Sequence, residues 1–209
     1  MNKAVFLDRD GTINVDKHYL HKKEDFEFIP GVVQGLKLLS EEGYLLIIIT
    51  NQSGIGRGYY TEAEFDKLNK WMLRQLKEWG VNITAVYFCP HLPDAVIEKY
   101  RVVCECRKPK LGMFQKAMDD YQIDLSMSYA IGDRLRDCMI CEETDCHGFL
   151  IGTTEQKDVI QRVKNHEFER LDYAESLYAA ALRIISASFS ESTRSRGYPI
   201  SSSLEKNIK

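Results

Sequence analysis

The chain has 209 residues, 44% hydrophobic and 28% charged, enough for one domain with a sizeable core. Its formal net charge of -3 excludes a broad electrostatic draw toward nucleic acid or an anionic membrane, while leaving room for a local basic pocket that takes a small anion. No apolar run approaches the roughly 20 residues that cross a bilayer, and the N-terminus lacks a signal-peptide pattern, so the expected location is the cytoplasm. In a reducing compartment the six cysteines read as metal ligands before disulfides.

In chain order, Lys3 to Leu7 reads as a strand that stops at the acidic cluster Asp8-Arg9-Asp10-Gly11-Thr12. Pro30-Gly31 opens a helix to about Glu42, Gly43 ends it, and Tyr44 to Ile49 is a continuous apolar run, the pattern of a strand buried on both faces. Thr61 with Glu64 three residues on has capping-box spacing, and Phe65, Leu68, Met72, Leu76 and Trp79 follow at helical period. Thr84 to Phe88 is the next strand, followed by an irregular, Pro-punctuated stretch to Pro109. A helix from about Gly112 to Tyr121, a strand from Ser128 to Ile131, a helix after Asp133 and a strand from Gly148 to Ile151 continue the alternation. Beyond Thr153 two helical stretches are expected, the second from about His166 to Ile185 with Leu171, Leu177, Leu182 and Ile185 as its apolar positions. From Ser186 the chain is Ser-rich with little to bury, which predicts a single domain over residues 1–185 and a loose tail over 186–209.

Strand alternating with helix predicts an α/β fold with a doubly wound, mostly parallel sheet, which binds ligands beyond the carboxyl ends of its strands. Asp8, Asp10, Thr50 and Asp133 each follow an apolar strand segment, so four distant pieces of sequence converge on one crevice.

Phosphoryl transfer to a carboxylate requires an ionised oxygen nucleophile, a divalent cation to offset like charges and a second acid to protonate the leaving oxygen. Asp8 and Asp10 suit the nucleophile and the acid: one residue apart on an extended strand they point the same way, and Gly11 lets the backbone turn closely beneath a ligand. A calcium loop also begins Asp-x-Asp, but it follows a helix and carries an acid at its twelfth position, which here is Tyr19.

The segment Asp8-Arg9-Asp10-Gly11-Thr12 resembles the first motif of the haloacid dehalogenase superfamily of phosphatases. Thr50 after Ile47 to Ile49, Lys108 in Cys106-Arg107-Lys108-Pro109, and Gly132-Asp133 after Tyr129 to Ile131 resemble the later motifs in order. The resemblance implies that Thr50 and Lys108 hold the transferring phosphoryl group, and that magnesium is bound by Asp8, the Asp10 backbone carbonyl and Asp133. Asn14-Val15-Asp16, Asp25 to Phe28, Thr50 to Ile55, Cys89-Pro90-His91 and Cys104 to Pro109 are similar, over roughly residues 3 to 152, to the heptose 1,7-bisphosphate 7-phosphatase group, whose pattern histidinol-phosphate phosphatases largely share. That likeness implies hydrolysis of D-glycero-D-manno-heptose 1,7-bisphosphate to the 1-phosphate, with histidinol phosphate as the alternative substrate. It also implies substrate contacts from Asp16, Lys17, His18 and Tyr19, from Thr50, Asn51, Gln52 and Ser53, and from Arg107 and Lys108. Arg134 stands where the group has Lys, which keeps the charge and changes the geometry.

Cys89, His91, Cys104 and Cys106 form two closely spaced pairs that supply four ligands for a tetrahedral structural zinc, pinning the loop that carries Arg107 and Lys108. Cys138 and Cys141 sit at helical spacing and, with Cys146, read as small packing residues. Arg57 reads equally well as an exposed loop residue or as a contact to a second phosphate. No separate cap domain fits between the motifs, so the zinc loop and the loop from Asp16 to Glu24 shape the pocket. The expected partner is a small phosphorylated metabolite bound by a monomer, with a zinc-stabilised sugar-phosphate sensor as the non-enzymatic alternative.

Overall fold

The computed structural model describes residues 1–152 and 154–195. Six strands, β1 (Ala4–Leu7), β2 (Leu45–Asn51), β3 (Ala85–Cys89), β4 (Tyr129–Gly132), β5 (His147–Ile151) and β6 (Leu171–Ala174), form one parallel sheet in the order β3-β2-β1-β4-β5-β6. The chain winds outward from β1 through β2 to β3, then returns to the other side of β1 for β4 to β6. The switch point therefore lies between β1 and β4, where a doubly wound sheet opens a crevice at its carboxyl edge.

The helices in chain order are α1 (Val32–Glu41), α2 (Ser53–Gly56), α3 (Glu62–Glu78), α4 (Gly112–Tyr121), α5 (Leu135–Cys138), α6 (Ile140–Glu143), α7 (Lys157–Lys164) and α8 (Leu177–Ser195). They cover both faces, and the strands show why they must. Val5, Leu7, Leu46 and Ile48 pack with Leu36 and Leu39 of α1, Met72 of α3 and Ala181 of α8. The alternate residues Phe6, Ile47 and Ile49 pack on the opposite face with Phe114 of α4 and Ile140 of α6. A strand buried on both faces has no polar side to present, which is why its sequence is a continuous apolar run.

Local signals act as expected at several element ends. Thr61 accepts from Glu64 N at 3.2 Å and its own N–H donates to Glu64 Oε2 at 2.8 Å, closing the capping box of α3. Phe65, Leu68, Met72 and Leu76 are buried on that helix. Trp79 is not part of the stripe: it lies past the last turn, 44% exposed, edge-on to Phe28 at 5.0 Å.

The larger difference lies after residue 165. A helix beginning near His166 is not formed; Leu171–Ala174 is instead the edge strand β6, and α8 starts at Leu177. The short, partly charged segment carries a weak strand signal by itself, and pairing with β5 decides its state. The buried residues of α8 include Leu177, Ala180, Ala181 and Ile184, whereas Leu182 faces outward. The helix runs through the expected boundary at Ser186 as far as Ser195, and the remainder of the expected tail lies outside the described residues.

Candidate active site

Asp8 follows β1, Asp133 follows β4, and Thr50 is the next-to-last residue of β2, so three neighbouring strands deliver residues from their carboxyl ends to one cleft of about 310 Å³. Asp8, Asp133 and Asp137 are all buried, and a carboxylate oxygen of each lies within 4.8 Å of those of the other two. Lys108, itself buried, answers this charge. Its Nζ lies 2.7 Å from Asp8 Oδ1 and 2.7 Å from Asp137 Oδ1, and donates to the Ile49 carbonyl at 2.6 Å. Burial alone would push the lysine down, but Asp137 and Asp8 outweigh it and hold the ammonium above its ordinary value.

Three carboxylates against one ammonium leave the cluster short of positive charge. Burial pushes Asp8 up to about 7; Lys108 pulls it down, and Asp137, Asp133 and Asp10 raise it again. Burial and then Asp137 push Asp133 up to about 6. Asp133 Oδ1 is buried with no hydrogen-bond partner. A hard divalent cation with oxygen preference fits such a donor set, and Asp8, Asp133 and Asp137 could hold it. Asp137 is absent from the sequence expectation, and the Asp10 side chain is not one of the three, its oxygens accepting from Arg9, Asn14 and Gln52. Gly11 completes the geometry: its φ is +90°, and a Cβ there would lie 2.2 Å from Asp133 Oδ2, so only glycine lets the turn pass beneath the cluster.

These raised values have a measurable consequence. Between the unperturbed 3.8 and about 7, the folded chain binds protons at Asp8 and Asp133 that the unfolded chain has released, so these groups weaken the metal-free fold as pH rises through that window. A cation at the carboxylates offsets that loss. The magnesium-induced rise in melting temperature is expected to be larger at pH 8 than at pH 5.5, at about 2 to 4 °C per kcal/mol of binding linkage. Equal rises at the two pH values in thermal melts would place the cation elsewhere.

Asp10 occupies a different setting. Arg9 Nη2 donates to both of its oxygens, at 3.0 and 2.8 Å, Gln52 Nε2 donates at 2.9 Å and Asn14 Nδ2 at 2.9 Å. Arg9 is fully buried, braced by Asn69 and the Leu20 carbonyl and set over the Phe65 ring. The two aspartates therefore have separate environments: Asp8 faces cationic and anionic neighbours in the cluster, whereas Asp10 is clamped by neutral amides and one guanidinium. Nothing in spacing or composition singles out Arg9; its position between the two aspartates is the only sequence signal.

The remaining expected site residues divide into two layers. Asp16, His18, Tyr19, Ser53, Arg107 and Arg134 line the cleft. His18 and Tyr19 both have positive φ, 52° and 58°, and the His18 N–H donates to Asp16 Oδ1 at 2.9 Å, which holds the loop in its turn. Thr50, Asn51 and Gln52 also border the cleft, but their polar groups are engaged within the protein. Asn51 pairs with the Lys108 backbone in both directions, at 3.1 and 3.0 Å, and Gln52 joins Asp10, Thr50 and Tyr60. Lys17 does not reach the cleft; it pairs with Glu27 at 3.2 Å on the surface. Arg134 donates to the Thr154 carbonyl at 2.9 Å, and its Nε lies 3.8 Å from Asp133.

Cys89, His91, Cys104 and Cys106 converge beside the loop that carries Lys108. Their sulfurs are 3.0 to 3.5 Å apart, and His91 Nδ1 is 3.2 Å from Cys106 Sγ and 3.7 Å from Cys89 Sγ. Three thiols and one imidazole nitrogen at this range form a donor set that could hold zinc. Cys138 and Cys146 are used otherwise: each is buried and donates its thiol to a backbone carbonyl, Phe149 and Ser128 respectively.

A buried aspartate after the first strand, a second aspartate two residues on, and a lysine buried against the first, all at the carboxyl edge of a doubly wound sheet, define a phosphatase of the haloacid dehalogenase type. Residues 3–179 match the family model described as polynucleotide kinase 3 phosphatase. The D-glycero-beta-D-manno-heptose-1,7-bisphosphate 7-phosphatase of Haemophilus ducreyi is 52% identical over 141 residues, 67% of this chain and 77% of the relative. The Escherichia coli K12 protein of the same name is 48% identical over 134 residues, 64% of this chain and 70% of the relative. Among solved structures, D,D-heptose 1,7-bisphosphate phosphatase from B. bronchiseptica, complexed with magnesium and phosphate, superposes with a TM-score of 0.75 at 30% identity, covering 88% of this chain and 99% of the other. The chain belongs to the heptose-bisphosphate phosphatase family of haloacid dehalogenase-type enzymes. It is a phosphoric monoester hydrolase, and the non-enzymatic sensor expected as an alternative is set aside.

Proposed function

We propose that the protein hydrolyses D-glycero-β-D-manno-heptose 1,7-bisphosphate to the 1-phosphate, in the cytoplasm and as a monomer. The observation that carries the substrate is the 52% identity to a relative bearing that activity in its name. All six cysteines are free, in keeping with a reducing compartment.

In the first half-reaction an Asp8 carboxylate oxygen attacks phosphorus, the bond from phosphorus to the C7 oxygen breaks, and Asp10 gives its proton to the departing alkoxide. Lys108 holds Asp8 Oδ1, which leaves Oδ2 as the attacking atom. In the second, Asp10 takes a proton from water, the water oxygen attacks phosphorus, and the bond to Asp8 breaks, releasing phosphate and restoring the Asp8 carboxylate and the protonated Asp10. The clamp of Arg9, Asn14 and Gln52 keeps Asp10 in place through both proton transfers. Asp8, Asp133 and Asp137 would hold magnesium, which would supply charge neutralisation for the phosphoryl oxygens. Zinc at Cys89, His91, Cys104 and Cys106 is structural, because four protein ligands leave no open position for water.

The test sets heptose 1,7-bisphosphate against histidinol phosphate with purified protein and magnesium. The expected kcat/KM ratio is about 100-fold or more in favour of the bisphosphate, the scale set by losing one set of charge-assisted contacts. A preference for histidinol phosphate moves the assignment to that substrate.

A further inference from the structure

The side-chain amide of Gln52 has two lone pairs and two N–H groups, and the protein uses all of them. Its Oε1 accepts from the Tyr60 hydroxyl at 2.6 Å and from Arg9 Nη2 at 3.3 Å, while its Nε2 donates to Asp10 Oδ2 and to Thr50 Oγ1, each at 2.9 Å. Gln52 is only 2% exposed, so water does not compete for these positions. The two donors that meet Oε1 fix which way round the amide lies. Turned over, its oxygen would face the Asp10 carboxylate and its NH2 would face a guanidinium, two repulsive contacts in place of two attractive ones. Arg9 also grips Asp10 directly, whereas Tyr60 reaches it through Gln52.

Tyr60 itself is firmly mounted. It lies between α2 and α3, and its ring is buried in a small apolar cluster with Ile55, Phe65, Leu92, Ala95 and Tyr100. The His21 ring stacks on it at 5.2 Å, with 11° between the two planes. Gly54 leaves room for it, since a Cβ there would lie 2.2 Å from the phenol ring. Burial raises the Tyr60 phenol above its ordinary value, with Arg9 opposing, so the hydroxyl keeps the hydrogen that it donates. A donor held by packing in this way loses little freedom when it fixes its acceptor.

We propose that Tyr60 is a positioning residue for the general acid: by fixing the Gln52 amide, it holds Asp10 where its proton reaches the departing sugar oxygen. The inference deepens the reaction proposed above and rests on Asp10 being its acid. Its consequence depends on the leaving group. A sugar alkoxide is a poor leaving group and needs that proton as the bond to phosphorus breaks, whereas a nitrophenolate departs without it. A misaimed Asp10 therefore slows the sugar phosphate and largely spares an aryl phosphate, while a tyrosine that only supports the fold would affect both alike.

The experiment measures wild type, Asp10→Asn, Tyr60→Phe, Gln52→Met and the double variant of the last two, with magnesium, on heptose 1,7-bisphosphate and on 4-nitrophenyl phosphate. Asp10→Asn is the reference and should lose far more kcat/KM on the sugar than on the aryl phosphate; equal losses there remove the acid's role from Asp10, a failure of the reaction and not of Tyr60. Tyr60→Phe should lose about 10-fold in kcat/KM on the sugar, mainly through kcat, and less than about threefold on the aryl phosphate. Adding Tyr60→Phe to Gln52→Met should cost less than about twofold more, because the hydroxyl then has no amide to aim. The phenylalanine keeps its ring in the apolar cluster, so thermal melts should place this variant close to wild type. Equal losses of Tyr60→Phe on the two substrates, full activity on the sugar, or losses that multiply in the double variant overturn the role of Tyr60. If histidinol phosphate proves the better substrate, the same comparison is made with it, since its leaving group is also an alkoxide.

Discussion

Asp8→Asn is expected to lower turnover by roughly 10⁴-fold or more without weakening the fold. The amide matches the carboxylate in shape and can still accept from Lys108, but it has no charge with which to attack phosphorus. Stability should move the other way from activity. Because burial raises the Asp8 carboxyl from 3.8 to about 7, its ionised form weakens the metal-free fold as pH rises through that window. An asparagine never carries that charge, and Lys108 retains Asp137 and the Ile49 carbonyl as partners. In metal-free buffer at pH 8 the variant should therefore melt no lower than wild type. Phosphate release and thermal melts measured on the same preparation decide the matter. Near-normal release by a folded variant would remove Asp8 from the nucleophile's role, and a collapsed fold would make its role structural.

Replacing a ligand of the proposed zinc should have the next largest effect. Cys106→Ser replaces one of four converging donors in the turn that leads directly to Arg107 and Lys108, and Asn51 ties the Lys108 backbone to the end of β2. A structural metal contributes several kcal/mol, so the variant should lose about 10 °C in melting temperature. Its kcat/KM should drop by about tenfold or more, because Lys108 no longer holds Asp8 in line. Metal analysis of wild type should find one zinc per chain, and the serine variant should contain none. Two zinc ions or none in wild type contradicts the assignment, and a zinc-free variant with full activity shows that the loop does not position the lysine.

The chemistry of this protein is legible in its sequence to the extent that it depends on strand ends. A continuous apolar run must be buried on both faces, so the residues that follow Leu7, Ile49 and Ile131 must lie on one edge of the sheet, and the polar residues found there are Asp8, Thr50 and Asp133. The Cys and His spacing carries the metal-loop reading in the same way, because two short pairs can close on one ion only if the chain between them returns to its start. Contacts between segments distant in sequence have no such local signature. That Asp137 shares Lys108 with Asp8, and that buried Arg9 clamps Asp10, depends on how α5 and α3 pack over the sheet. Likewise Asn51 and Gln52, which sequence likeness assigns to the substrate, turn their amides to Lys108 and Asp10 once the loops are in place. β6 was hidden for a related reason: four residues with one charge among them become a strand only beside β5. Sequence alone determined which residues reach the crevice through the period of the strands, and tertiary structure decided which of them face the ligand and which hold their neighbours, because that choice is made by packing between elements.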